Sequence, residues 1–258
     1  MLRINSKVVS YDLEGNGPCI VFLHGYLESK EVWGDFVKRF PNYTVITPDL
    51  PGHGDSEIMD ENQTMDQMAE SIKAILDHEK ISKCVIYGHS MGGYVAEAFT
   101  RNWPEMVFGL GLMHSTIYAD TEEKRTNRKR EIELIRNGKK AMVVSGMLPN
   151  IVAKANTERL RPVIEEIIDH AKMFAAKGII AVLNAMMQRP EHTVNSQIPL
   201  HLIAADADNF IPLKVYSKMK EDYPHITMDT IKGSGHSSFI EFPEESAAVI
   251  KDFLKSIN

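Results

Sequence analysis

Apolar positions follow two alternating rhythms along this chain. Near-continuous, β-branched runs at about 19–24, 43–48, 83–88, 107–113, 199–205 and 226–231 read as strands covered on both faces, because neither side is left polar. Between them, apolar residues recur at helical spacing over about 65–79, 91–102, 213–222 and 244–256. Residues 2–14 read as an antiparallel edge hairpin. Apolar strands alternating with helices predict an α/β fold, a mostly parallel central sheet with helices on both faces. Such sheets bind ligands beyond the carboxyl ends of their strands.

The rhythm breaks once. Residues 116–195 contain no strand pattern but four helical stretches, at 121–137, 139–147, 159–177 and 178–188. The chain therefore divides into a core of 1–115 and 196–258 and a helical insertion of 116–195. The methionines of the insertion, Met142, Met147, Met173, Met186 and Met187, suit helix packing, and they also suit an adaptable apolar ceiling over a ligand.

Chemistry enters at Gly88-His89-Ser90-Met91-Gly92, which follows the run Cys84-Val85-Ile86-Tyr87 and precedes a helical segment. In that setting Gly-x-Ser-x-Gly is a nucleophile elbow, a tight strand-to-helix turn that presents the serine at a helix N-terminus. Serine is a weak nucleophile without a base oriented by a carboxylate. The C-terminal part offers both, in the chain order serine, acid, histidine. The run 199–205 leads into a loop with Asp206 and Asp208, and the run 226–231 leads into Gly233-Ser234-Gly235-His236.

These pieces, with His24-Gly25, Asp49-Leu50-Pro51-Gly52-His53-Gly54-Asp55-Ser56, Asp208-Asn209-Phe210-Ile211-Pro212 and Glu241-Phe242-Pro243, resemble the α/β-hydrolase superfamily in its compact serine esterase and lactonase form. They stand in the family's order and span nearly the whole chain. The resemblance implies the α/β-hydrolase fold, with the insertion as a helical cap. It implies Ser90 as nucleophile, His236 as base and Asp208 as acid. Asp206 lies on the same alternation, and Asp120 follows the preceding strand, where some members carry the acid. The oxyanion hole is expected from the backbone N–H groups of Tyr26 and Met91. Around them the expected pocket wall comprises Tyr26, His24, Leu27, His89, Met91, Met113, His114, Met142, Met147 and Met186, with His24 also bracing the oxyanion loop. A serine at the elbow sets aside the branches that use aspartate there. The expected reaction is hydrolysis of a carboxylic ester or lactone through an acyl-enzyme. The same triad serves carbon–carbon bond hydrolases and cofactor-free perhydrolases, and the scaffold also serves receptors with vestigial turnover.

The remaining features narrow the partners. The 258 residues carry a formal net charge of −6, and no basic stripe with interleaved aromatics offers a nucleic-acid surface. The basic run Lys124 to Arg130 stands among Glu122, Glu123, Glu131 and Glu133 and reads as a solvated helix face. The expected pocket is therefore uncharged, with Arg159, Arg161 and Arg189 as the residues able to supply a fixed cation. Cys19 and Cys84 fall at strand starts and read as buried small apolar groups. No histidine or cysteine spacing suits a metal, and neither metal nor cofactor is expected. Without a signal-peptide core at Met1 or an apolar run of membrane length, the expectation is a soluble, cytoplasmic monomer or homodimer acting on a small ester or lactone.

Overall fold

The computed structural model describes residues 1–191 and 197–257. Nine strands are present among them: β1 (Leu2–Ile4), β2 (Lys7–Val9), β3 (Tyr11–Gly15), β4 (Cys19–Leu23), β5 (Thr44–Pro48), β6 (Cys84–His89), β7 (Val107–Met113), β8 (Leu200–Ala205) and β9 (Thr227–Ile231). Seven of them form one sheet in the order β3-β5-β4-β6-β7-β8-β9. Only β3 runs antiparallel, so the expected mostly parallel sheet is present.

Both faces of this sheet are buried at its centre, over β4, β6 and β8. The edge strands β3 and β9 are exposed or half-buried along most of their length, so 226–231 is not covered on both faces as its pattern predicts. On β4, Cys19, Val21 and Leu23 enter one core, while Ile20 and Phe22 enter the other. On β6, Cys84 and Ile86 face the first core and Val85 and Tyr87 the second. The period-2 side-chain alternation of a strand thus feeds two cores at once. The second core is built on rings: Phe22 lies 5.2 Å from Trp33 and 5.4 Å from Phe40, and Trp33 lies 4.3 Å from Phe239. Such aromatic contacts add about 0.5–1.5 kcal/mol per pair to the area they bury. Cys19 and Cys84 pair in register on β4 and β6 as free, buried thiols, and burial pushes the Cys19 thiol up to about 12.

The helices that flank the core are α1 (Gly34–Val37), α2 (Met65–His78) and α3 (Met91–Asn102). At α2, Thr64 accepts from the Gln67 N–H while the Gln67 side chain accepts from the Thr64 N–H, a reciprocal cap that sets the start. Between β7 and β8 lie α4 (Glu122–Arg136), α5 (Lys140–Met147), α6 (Arg161–Met173) and α7 (Ala176–Gln188). After β8 come α8 (Leu213–Asp222), α9 (Ser238–Glu241) and α10 (Pro243–Ser256).

Two expectations are corrected. The 2–14 hairpin is divided. Asn5 and Ser6, both at positive φ (47° and 72°), close a tight turn, so β1 and β2 form a separate two-stranded sheet. β3 then pairs with β5 instead, from Tyr11↔Pro48 to Gly15↔Thr44. The helix expected over 159–177 is shorter. Pro162 fits only the first turn, so α6 starts at Arg161. It stops at Met173 because Phe174 and Ala175 are extended (ψ 144° and 129°), and the Phe174 ring turns inward onto His53, 5.4 Å away. The boundary expected at 195/196 lies outside the described residues, as does His192.

Candidate active site

β6 ends in His89, and Ser90 takes φ 49° and ψ −114° before α3 begins at Met91. That conformation is strained for a residue with a side chain and needs support from around it. The Ser90 N–H donates to Met113 O at 2.9 Å, and the Ser115 hydroxyl donates to Ser90 O at 2.7 Å. The turn also demands bare backbone. A Cβ at Gly88 would sit 2.2 Å from Gly92 O, and one at Gly92 would sit 2.4 Å from Leu23 O on β4. Ser90 is left partly exposed at the N-terminus of α3.

The loop after β8 supplies Asp208, whose carboxylate is almost fully partnered. Oδ1 accepts the N–H groups of Phe210 (2.8 Å) and Ile211 (3.0 Å), and Oδ2 accepts the Tyr216 hydroxyl (2.9 Å). His236 Nδ1 lies 3.0 Å from Oδ1 and 2.9 Å from Oδ2. Burial alone would raise the Asp208 carboxyl, but His236, His114 and the Phe210 N–H outweigh it and hold it well below the ordinary carboxylate range. Asp206, exposed two residues earlier, accepts the Gly233 N–H at 2.7 Å and ties the two loops together. Asp120 is buried and bound by Arg128 Nε at 2.6 Å. Of the three aspartates, the structure brings only Asp208 to His236.

The loop after β4 is braced by two neutral histidines. His24 Nδ1 donates to Gly25 O (2.8 Å), so its Nε2 is free to accept the Leu50 N–H (2.9 Å). His53 Nε2 accepts the Leu27 N–H at 3.1 Å. Burial lowers both histidines, His53 strongly, which suits rings that must accept from amides. The loop with His236 is held by Glu241. Its Oε1 accepts from Gly235 N–H (2.7 Å) and the Ser234 hydroxyl (2.9 Å), and its Oε2 accepts from Ala153 N–H (2.8 Å) and Asn156 (2.7 Å).

A cavity of about 540 Å³ opens over Ser90 and His236. Tyr26, His89, Met142, Met147 and Met186 lie on its wall. Five other residues that the sequence places on the wall do not reach it. His24 is turned to Leu50, Leu27 (φ 62°) and Met91 point into the first core, and Met113 points into the second. His114 sits behind the site, with Nε2 on the Ser238 hydroxyl (2.8 Å) and Nδ1 3.8 Å from Asp208.

The cavity also carries charge the sequence reading did not expect. Lys124, Asn127, Arg128, Glu131 and Leu134 of α4 line it, as does Arg130. The first five follow the i, i+3, i+4, i+7, i+10 spacing of one helix face. In sequence, a polar helix stripe looks the same whether it faces solvent or a polar cavity wall. Glu131 accepts from the Tyr26 hydroxyl at 2.5 Å, and burial raises its carboxyl against the opposing pull of Tyr26 and Arg128. The three arginines named as possible anchors are used elsewhere. Arg159 donates to Glu241 O, Arg161 pairs with exposed Glu158, and Arg189 donates to Tyr118 O with its guanidinium 3.5 Å from the centre of the Tyr94 ring.

Known proteins agree with this architecture. Residues 20–249 match the sequence profile of the alpha/beta hydrolase family, and the chain belongs to that family. The solved structure of a thermophilic esterase from Thermogutta terrifontis superimposes with a TM-score of 0.91, at 26% identity, covering 97% of this chain and 94% of that one. A pimeloyl-[acyl-carrier protein] methyl ester esterase of Yersinia enterocolitica is 23% identical, over 98% of this chain and 99% of that one. A Bacillus subtilis protein named as a candidate 2-succinyl-6-hydroxy-2,4-cyclohexadiene-1-carboxylate synthase is 25% identical, over 98% and 97%. Among the described residues no helix is long and apolar enough to cross a membrane.

Proposed function

We propose that this protein is a serine hydrolase that cleaves a small carboxylic ester or lactone through an acyl-enzyme. The observation that carries this reading is the meeting, at one cavity, of Ser90 in its strained turn and His236 with Nδ1 against Asp208. In this reading His236 takes the Ser90 proton as the hydroxyl attacks the carbonyl carbon. It then gives that proton to the leaving oxygen, and repeats the exchange with water. Asp208 keeps the Nδ1 proton in place and stabilises the imidazolium. The N–H groups of Met91, at the start of α3, and Tyr26 receive the oxyanion; one such donor is worth about 2.7–4 kcal/mol where measured.

The wall supports an uncharged acyl group. Met142, Val143, Met147, Ile151, Phe210 and Ile211 form its apolar part. The test is hydrolysis of p-nitrophenyl butyrate together with fluorophosphonate labelling, read by mass spectrometry of the peptide holding Ser90. Turnover with label on Ser90 supports the reading. Label elsewhere, or ligand-induced stabilisation with negligible turnover of any ester or lactone, overturns it in favour of another nucleophile or a receptor.

A further inference from the structure

In the wall of the cavity two ionisable side chains meet, each about 1% exposed. His89 Nδ1 lies 2.9 Å from Glu28 Oε2, and the same oxygen accepts the Gly25 N–H at 2.7 Å. The other ring nitrogen, Nε2, lies 2.8 Å from the main-chain oxygen of His236. A carbonyl only accepts, so Nε2 carries a proton. Three segments far apart in sequence are thereby joined: the loop after β4, the turn that presents Ser90, and the loop that presents His236. The joint is built for these two side chains. A Cβ at position 25 would lie 2.7 Å from His89 Nδ1 and 2.9 Å from Glu28 Oε2. The Phe239 ring closes over His89 at 5.0 Å.

We propose that Glu28 and His89 are a positioning pair, in which an imidazolium held by the Glu28 carboxylate fixes the His236 loop and the Gly25–Tyr26 loop relative to Ser90. This rests on the serine hydrolase reading above. Neither residue touches the reacting atoms; the pair acts through the Gly25 amide and the His236 carbonyl.

The charge state follows from what surrounds the ring. Burial raises Glu28 and lowers His89, but their mutual attraction and hydrogen bonds prevail, leaving Glu28 below and His89 above its ordinary value. The other titratable groups around His89 are His24, His114, His236 and Asp208. A neutral His89 has one ring proton for two acceptors. Removing the Glu28 charge while keeping its shape therefore costs one of three links: position 28 to Nδ1, Nε2 to His236 O, or, if a glutamine turns its NH2 toward Nδ1, the acceptor for the Gly25 N–H.

The test compares wild type with Glu28→Gln and with Leu76→Ala, a buried core change on α2 that lowers stability away from the joint. For Glu28→Gln, kcat for p-nitrophenyl butyrate is expected to fall on the order of 10- to 100-fold with KM little changed, the effect of a misplacement of about 1 Å. Leu76→Ala should lower Tm and leave kcat near wild type. In wild type at about pH 7, ¹⁵N NMR should show both His89 ring nitrogens protonated, the spectroscopic signature of the pair. A His89 with one protonated nitrogen, or a Glu28→Gln enzyme with wild-type kcat, overturns the proposal. If Glu28→Gln does not fold, the wild-type spectrum decides alone. If wild type turns over no ester, the hydrolase reading fails, while the spectrum still reports on the pair.

Discussion

The Tyr216 hydroxyl donates at 2.9 Å to Oδ2 of Asp208, the oxygen that also lies 2.9 Å from His236 Nδ1. Tyr216 is fully buried on α8, eight residues past the aspartate it holds. It shares the carboxylate with the Phe210 and Ile211 amides, so the orientation of Asp208 is set from both sides. Tyr216→Phe keeps the ring and removes the donor. A hydrogen bond to a charged group is worth about 1.5–3 kcal/mol, so Tm should fall and kcat should drop about tenfold, measured on p-nitrophenyl butyrate. An unchanged kcat would show that the two amides suffice.

Ser90→Ala should abolish ester hydrolysis and fluorophosphonate labelling while leaving Tm nearly unchanged. The substitution removes one hydroxyl from a partly exposed turn whose backbone bonds, to Met113 O and from Ser115, do not involve that hydroxyl. Turnover within about tenfold of wild type, against the millionfold loss typical of a removed triad nucleophile, would take Ser90 out of the role.

Asp208→Asn should cost on the order of 10⁴ in kcat, the loss seen for the equivalent change in a serine protease triad. Asp206→Asn should stay within a few-fold of wild type, because Asp206 only receives the Gly233 N–H at the surface. Asp120→Asn should act on stability instead, by leaving Arg128 poorly paired beside the cavity. Steady-state kinetics and thermal melts of the three variants separate these outcomes.

The pH dependence of stability has a definite sign. Burial lowers His24, His53 and His114, so each resists protonation in the folded state while the unfolded chain binds protons below about pH 6.5. Their contribution is present above that value and is lost as pH falls through it. His89 works in the opposite direction, because its raised value adds stability below about pH 6.5 that is lost as pH rises through the folded value. Glu97, which burial raises to about 7, and Glu131, which burial also raises, act in the same direction as His89. Tm should therefore fall between about pH 7 and pH 5 as far as the three buried rings outweigh these three groups. His53→Gln, which keeps an acceptor for Leu27 N–H, should flatten that slope. A Tm that rises over this range would show that His89, Glu97 and Glu131 together dominate.

Substrate charge is the remaining test. Arg128 is matched by Asp120, Lys124 and Arg130 reach solvent where charges are screened, and Glu28 and Glu131 share the wall. The kcat/KM for p-nitrophenyl butyrate should therefore exceed that for a matched ester with a free carboxylate on its acyl chain. The reverse preference, lost in Lys124→Ala or Arg130→Ala, would place a carboxylate anchor on α4.

The sequence alone determined whatever depends on local chemistry. Continuous apolar runs fixed which segments become doubly buried strands, and the glycines around Ser90 fixed the elbow, because these constraints act between residues close in the chain. The order of serine, acid and histidine could also be read there. Which of Asp120, Asp206 and Asp208 lies against His236 was decided by the tertiary structure, since it depends on which loop faces that ring and not on residue type. Likewise, only packing decided that the α4 polar stripe borders the cavity, that β3 leaves the N-terminal hairpin for the edge of the sheet, and that Glu28, Tyr216 and Glu241 hold the loops of the site. Glu28 meets His89 61 residues away, whereas Tyr216 and Glu241 reach Asp208 and Gly235 8 and 6 residues away across irregular loops, and neither kind of contact leaves a periodic trace in the chain.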